Sequence, residues 1–436
     1  MPVRFAAPAA WIVACAIAFP AMAAEPDPDP DHVPASLLTL DDAFARVAQT
    51  HPDLRLMGAR SEVLLAERDQ ATLKPALRAG LEIENALGTG ATRGFDAAEV
   101  TLTLAGVLER GGKLDARRTL AQSRIDALSV QREAQRLDLL AETARRYLAV
   151  AVARDQGDIG RIDVEQRRRT VAAARQRFDA GASPESVVLT AEAALARAEL
   201  AVERAAQQEQ AARQHLAALW GERDPAFQLA AVDPLSIPAL ADLSELTGWL
   251  ERTPELARFT DEQRIAEARL QLARTAATPD LDWQLGVRRL QESDDTALVG
   301  SVSLPLGASR RAQPEIRAAE AELAVLGLER ESRGISLYAT LVEAHGRYRV
   351  AQREVQRTAQ DVLPRLARAE RAAERAYRAG AISYLEWAQL QSERTATQRQ
   401  QLDAALEAQA ALIEIQRLTG QPFVAGAGAP AQGTTP

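Results

Sequence analysis

The chain is written twice. His51-Pro52-Asp53-Leu54 returns as Thr253-Pro254-Glu255-Leu256, Lys74-Pro75-Ala76-Leu77 as Thr278-Pro279-Asp280-Leu281, and Val100-Thr101-Leu102-Thr103-Leu104 as Val302-Ser303-Leu304-Pro305-Leu306. Further along, Phe178-Asp179-Ala180-Gly181-Ala182 returns as Tyr377-Arg378-Ala379-Gly380-Ala381, and Leu219-Trp220-Gly221 as Leu418-Thr419-Gly420. Shared composition does not preserve order, so a constant order at an offset of about 200 residues marks a duplicated unit. Whatever one half folds into, the other must fold into as well. The units run over residues 39–221 and 243–420, joined by a connector at 222–242.

Each unit reads as helix, two strands, very long helix, tight turn, helix. Residues 41–73 carry apolar residues at helical spacing (Phe44, Val47, Leu54, Val63, Leu64) and stop before Pro75. Strand alternation follows over about 77–87 and 97–106, and in the second unit over about 281–291 and 297–306. Leu77, Ala79, Leu81, Ile83, Val100, Leu102 and Leu104 fall on apolar faces, as do Leu281, Trp283, Leu285 and Val287. Glu82, Glu84, Glu99, Asp282 and Arg288 fall on the opposite ones, where they would line the lumen of a barrel. Soluble hairpins packed on helices would show the same alternation.

The stretches 113–179 and 313–379 hold abundant helix formers and no hairpin signal. A helix of about 67 residues runs on the order of 100 Å, longer than any ordinary domain. Gly157, Gly160 and Pro364 forecast local bends or breaks in these helices. Tip turns are expected at 180–183 and 380–383: Gly181 and Gly380 suit the left-handed position that ends a helix, Ser183 and Pro184 an N-cap and a first-turn proline, and Ser383-Tyr384-Leu385-Glu386 a capping box. The shorter helices, 41–73 and 184–220, would stack end to end beside the long one.

Met1 to Arg4 is a short basic start, residues 5–19 are apolar, and Pro20-Ala21-Met22-Ala23-Ala24 offers a small-residue cleavage site, so residues 1–23 read as a secretory signal peptide. Ile12-Val13-Ala14-Cys15 leaves open the alternative of a lipoprotein with Cys15 acylated. A flexible leader at 24–38 and a disordered tail at 421–436 complete the chain. No later segment is apolar enough for a membrane helix, so any membrane crossing must use strands. Roughly one residue in five is alanine and only 4% are aromatic, a composition of long helices. A net charge of −8 speaks against nucleic acid. Four scattered histidines and a single cysteine make no metal site, Gly111-Gly112-Lys113 lacks the frame of a phosphate loop, and no nucleophile or paired acid and base stands out. Neither an enzyme nor a bound cofactor is expected.

Four strands cannot close a barrel, for which about eight is the practical minimum. Two copies would give eight and three would give twelve, and the strands alone do not choose. The element order, the duplication and the turns Phe178-x-x-Gly181-x-Ser183 and Tyr377-x-x-Gly380-x-x-Ser383 resemble the TolC-like outer-membrane efflux family over essentially the whole mature chain. Leu40-Asp41-Asp42-Ala43 ahead of His51-Pro52-Asp53-Leu54, and Glu109-Arg110-Gly111-Gly112-Lys113 with Arg117-Arg118, are similar to its cobalt-zinc-cadmium resistance branch. The resemblance implies a mainly α fold with a membrane β-barrel part: a homotrimer whose twelve-stranded barrel, four strands per chain, sits in the lipid of a Gram-negative outer membrane and is continued by a long periplasmic α-helical barrel. It implies a passive exit duct for divalent heavy-metal cations, fed by an inner-membrane RND pump through a periplasmic adaptor. Gly181, Ala182, Ser183, Gly380, Ala381, Ile382 and Ser383 would then be adaptor contacts, and Tyr377 and Glu386 gate residues. Gln389 stands where relatives carry a second acidic residue and Ile382 where some carry a basic one. The competing readings are an exported coiled-coil scaffold outside the membrane, and a duct for organic compounds.

Overall fold

In the computed structural model, the structure describes residues 37–423. The expected signal peptide, the leader up to residue 36 and the tail from residue 424 lie outside the described residues. In chain order the elements are β1 (Leu37–Leu38), α1 (Leu40–Thr50), α2 (Pro52–Ala71), β2 (Arg78–Glu84), β3 (Glu99–Leu108), α3 (Lys113–Asp179) and α4 (Glu185–Ala217). There follow β4 (Gln228–Leu229), α5 (Leu243–Leu250), α6 (Pro254–Thr275), β5 (Leu281–Leu290), β6 (Asp295–Ser303), α7 (Ala308–Arg357), α8 (Leu363–Arg378) and α9 (Tyr384–Thr419).

The single helix expected over 41–73 is two helices. Pro52 has no amide to continue a ladder, so α2 restarts there, with His51 Nδ1 accepting from the Asp53 amide at 3.2 Å as the cap. Pro254 likewise opens α6 after α5 has ended at Leu250, here with no side-chain cap from Thr253. The first repeated motif is therefore a helix restart.

Helix α3 runs unbroken for 67 residues. Gly157 and Gly160 do not break it, although the sequence allowed for that; both are buried against α4, and a Cβ on Gly160 would stand 3.0 Å from Val202 Cγ2. They are places of close approach rather than breaks. Its counterpart starts at Ala308, not at 313, passes through Pro314, and is interrupted by a π-turn at Thr358–Val362, so α7, the turn and α8 hold 50, 5 and 16 residues. Pro364 follows at once: its ring would press on the carbonyl of residue 360 in a regular helix, and the widened turn relieves this.

The two hairpins join into one antiparallel sheet in the order β2-β3-β5-β6, β3 pairing with β5 from Glu99↔Leu290 to Leu108↔Leu281. Strands β2 and β6 are its edges. A second, parallel pair joins β1 to β4, so the last two residues of the expected leader are a strand and the connector contains one. Tyr147 donates to the Leu38 carbonyl at 3.1 Å, Tyr348 donates to Pro238, and Gln409 donates to Ser236 at 3.0 Å, so donors on the long helices hold this strap in place. Burial pushes both tyrosines up to about 12. The Phe423 ring packs against that of Phe44 with centroids 5.9 Å apart and planes tilted by 60°, so the expected tail is packed at its start. The main cores lie around the strap (Tyr147, Leu216, Phe227; Leu341, Tyr348, Ile415) and near the Gly turns (Tyr377, Tyr384, Trp387).

Candidate functional site

The sheet sits at one end of the long helices and the Gly turns at the other. Because side chains alternate and opposed residues share a face, the register sorts the four strands completely. Leu81, Leu102, Val287 and Leu298 form one cross-strand row, flanked by a row of Ala79, Leu104, Leu285 and Gly300. All the leucines of these rows and Val287 are exposed, Leu298 at 89%. A soluble protein does not leave four adjoining strands apolar and uncovered on one side.

The other face is polar and holds all five expected lumen residues. Arg288 gathers three strands: its Nη1 donates to Glu99 Oε2 at 2.8 Å, its Nε to Thr101 Oγ1 at 2.9 Å, and its Nη2 stands 3.0 Å from Glu84 Oε2. Glu82 is opposite Thr101, in the same row as Arg288. Asp282 shares the face but pairs with Ser303 near the helical end of the sheet, apart from the other four.

At that end, strands turn into helices through glycines in the left-handed region: Gly111 (φ +74°) and Gly112 (φ +77°) before α3, Gly307 (φ +80°) before α7. Lys113 Nζ lies 2.7 Å from Asp280, which also accepts the Arg110 amide at 3.1 Å, and Arg117 donates to Glu109 at 2.8 Å. The Arg117 hydrogen bond holds the Glu109 carboxyl below its ordinary range. Burial pushes Asp280 up, and the Lys113 and Arg110 bonds more than offset it, so it too is lowered. The Glu109–Lys113 segment is thus the joint between sheet and helices.

The Gly turns close alike. Gly181 (φ +70°) and Gly380 (φ +78°) donate to Phe178 and Tyr377 at 2.8 and 3.0 Å, and Ala182 and Ala381 donate back to Arg177 and Ala376 at 2.9 Å each. The starts of the next helices differ. Ser383 caps α9 as expected, with Glu386 Oε2 accepting from its amide at 2.8 Å. These bonds from the Ser383 amide and hydroxyl lower the Glu386 carboxyl, which is fully exposed. Ser183, by contrast, makes no capping bond: Pro184 takes the N-cap position and α4 begins at Glu185.

The two turns lie side by side. A cleft of about 500 Å³ between them is lined by Gln176, Arg177, Ala182, Tyr377 and Gly380. Tyr377 is buried, 5.2 Å from the Trp387 ring and 6.5 Å from that of Tyr384, whereas its counterpart Phe178 is exposed. Burial raises Tyr377 and Tyr384 above the usual phenol value. Ile382 packs against this cluster. Sequence reasoning missed Arg177, whose Nη1 donates to the Tyr377 carbonyl at 2.6 Å across the two repeats. The available signal was a cation in the last turn of a helix ending in glycine. Among the described residues, no group of three or more His, Cys, Asp or Glu is placed to hold a metal, and no helix is long and apolar enough to cross a membrane.

The family described as outer membrane efflux protein matches residues 44–222 and 247–421. The cobalt-zinc-cadmium resistance protein CzcC of Cupriavidus metallidurans is 28% identical over 279 residues, 64% of this chain and 67% of that protein. Among solved structures, one of CusC, from work on its folding and transmembrane channel formation, superposes with a TM-score of 0.74 at 17% identity, covering 88% of this chain and 92% of that one. A membrane protein from Pseudomonas aeruginosa gives 0.74 at 20% identity, over 89% and 92%.

Proposed function

Because the chain belongs to the outer membrane efflux protein family, we propose that it is the outer-membrane channel of a tripartite efflux system, a passive exit duct for divalent heavy-metal cations. An inner-membrane RND pump would drive export and a periplasmic adaptor would join pump to duct. The membership itself makes this an outer-membrane protein with a large periplasmic part, and its relatives are channel proteins rather than enzymes.

One observation carries the reading: a four-stranded sheet with an uncovered apolar face, a charged opposite face and two unpaired edges, mounted on helices on the order of 100 Å long. Four strands need other copies to close. A homotrimer of twelve strands would turn Glu82, Glu84, Glu99, Asp282 and Arg288 inward. The Gly turns would be the periplasmic tips, with Gly181, Ala182, Ser183, Gly380, Ala381, Ile382 and Ser383 meeting the adaptor and Tyr377 and Glu386 at the gate. Heavy-metal cargo is supported by the likeness to the cobalt-zinc-cadmium resistance protein. A duct need not bind its cargo tightly, so the cations are substrate and not a resident cofactor.

The test is membrane fractionation and the mass of the detergent-extracted complex, followed by metal sensitivity of a deletion strain. A trimer in the outer membrane and a strain sensitised to zinc, cobalt or cadmium are expected. A soluble periplasmic monomer or dimer would overturn the channel, and a strain sensitised to organic compounds alone would overturn the cargo.

A further inference from the structure

The helix-attached end of the sheet carries a belt of cations without partners. Lys74 precedes β2, Arg110 follows β3, and Arg310 and Arg311 open α7 just after β6; all four are exposed, and among the described residues none of their side chains pairs with a carboxylate. The nearby carboxylates are engaged elsewhere: Glu109 with Arg117, Asp280 with Lys113, and Asp115 with Arg118 at 3.4 Å. Glu315, one turn further along α7, makes no ion pair with either arginine. Leu77, Leu108 and Leu306 are exposed at the same level. Just above them on the apolar face, the Trp283 ring lies over Gly106, whose Cβ would come within 2.9 Å of both Trp283 and Leu77.

The opposite end of the sheet has the reverse sign. Asp96, Glu292, Asp294 and Asp295 are exposed there, against Arg93 and an Arg289 that is paired with Asp294. An aromatic ring at the rim of an apolar band, with cations just beyond it, is the arrangement that meets phospholipid headgroups.

We propose that Lys74, Arg110, Arg310 and Arg311 bind the phosphates of anionic phospholipids in the periplasmic leaflet, and so fix the depth of the sheet in the bilayer. The inference rests on the channel reading. Strand β2 runs away from the helices and β6 runs back, so two copies meeting at these edges bring Lys74 of one beside Arg310 and Arg311 of the next. Such a seam holds cations on both sides and calls for an anion between them.

The test reconstitutes the full chain in phosphatidylcholine vesicles with and without phosphatidylglycerol, and measures lipid retained by the extracted complex together with its thermal midpoint. The expected result is preferential retention of phosphatidylglycerol and a higher midpoint in its presence, both fading with salt, with no gain from inorganic phosphate. Each cation contributes about fivefold to such a preference. Replacing all four by glutamine (K74Q, R110Q, R310Q, R311Q) should abolish it, while R110K, R310K and R311K together keep it. If the quadruple variant does not assemble, the four single variants are read instead. Equal retention of both lipids by the wild type, or a preference unchanged in the glutamine variants, overturns the belt; failure to insert into either vesicle overturns the channel reading itself.

Discussion

The Arg177 guanidinium lies 5.0 Å from the centre of the Tyr377 ring while donating to that residue's own backbone carbonyl at 2.6 Å. One side chain thus ties the end of α3 to the end of α8, and with them the two repeats. Arg177→Gln is expected to cost about 1–2 kcal/mol at the tip and to raise single-channel conductance. The Tyr377 hydroxyl is buried without a hydrogen-bond partner, so Tyr377→Phe should be neutral or slightly stabilising. Tyr377→Ala should cost about 3–5 kcal/mol for the cavity it leaves. Denaturant melts of the three variants check the ranking, and a Phe variant as damaged as the Ala variant refutes it.

At Gly181 and Gly380 the left-handed backbone ends a helix, so Gly181→Ala and Gly380→Ala should each cost about 1–2 kcal/mol. Gly327, exposed inside α7 with open space where a Cβ would go, is the contrast: Gly327→Ala should gain up to about 1 kcal/mol. Thermal midpoints of opposite sign are the expected readout.

Glu414 sits among cations from two helices. Arg417 Nη2 donates to it at 2.9 Å and Arg145 Nη2 at 2.6 Å, while Arg417 also reaches Glu255 at 2.7 Å. Burial pushes the Glu414 carboxyl up, but the two arginines overcome this and hold it below its ordinary value of 4.5. A carboxyl lowered by folding adds stability that is present above 4.5 and lost as pH falls through its folded value. Stability should therefore drop below about pH 4.5, and Glu414→Gln should be less stable at neutral pH with a shallower acid limb. Denaturation midpoints measured through the acid range decide it; an acid limb of unchanged slope in the variant would count against the assignment.

Among the described residues, Arg288 is the one cation paired with both Glu84 and Glu99 on the charged face of the sheet. Arg288→Gln leaves both carboxylates without their cation, so a lumen lined by this face should become more cation-selective. Reversal potentials across a salt gradient should move toward the cation limit. No movement would mean that the face does not line the conducting path.

The long helices were legible because nothing interrupts them, and the turns because a left-handed residue leaves a local mark in glycine. Strand alternation placed Glu82, Glu84, Glu99, Asp282 and Arg288 on one side by parity alone. The pairing of β3 with β5 was not legible, because it joins residues about 180 positions apart and no turn sets its register. Gly157 and Gly160 misled for a related reason: a glycine reads locally as a weak point, and only the approach of Val202 shows it to be a packing position. The strap at β1 and β4 is too short for any periodicity to announce. Arg177 bonds to a carbonyl, and backbone acceptors carry no residue identity.

The π-turn occurs in the second repeat and not in α3, so the duplicated units are alike in outline but unlike in their hydrogen-bond ladders. Copies of this chain set side by side would alternate an unbroken helix with an interrupted one. The repeating unit of such a palisade would be the chain and not the half-chain, so the symmetry that duplication offers would be lost wherever the two helices differ. Duplication supplied two slats from one ancestor, and the widened turn made them structurally distinct.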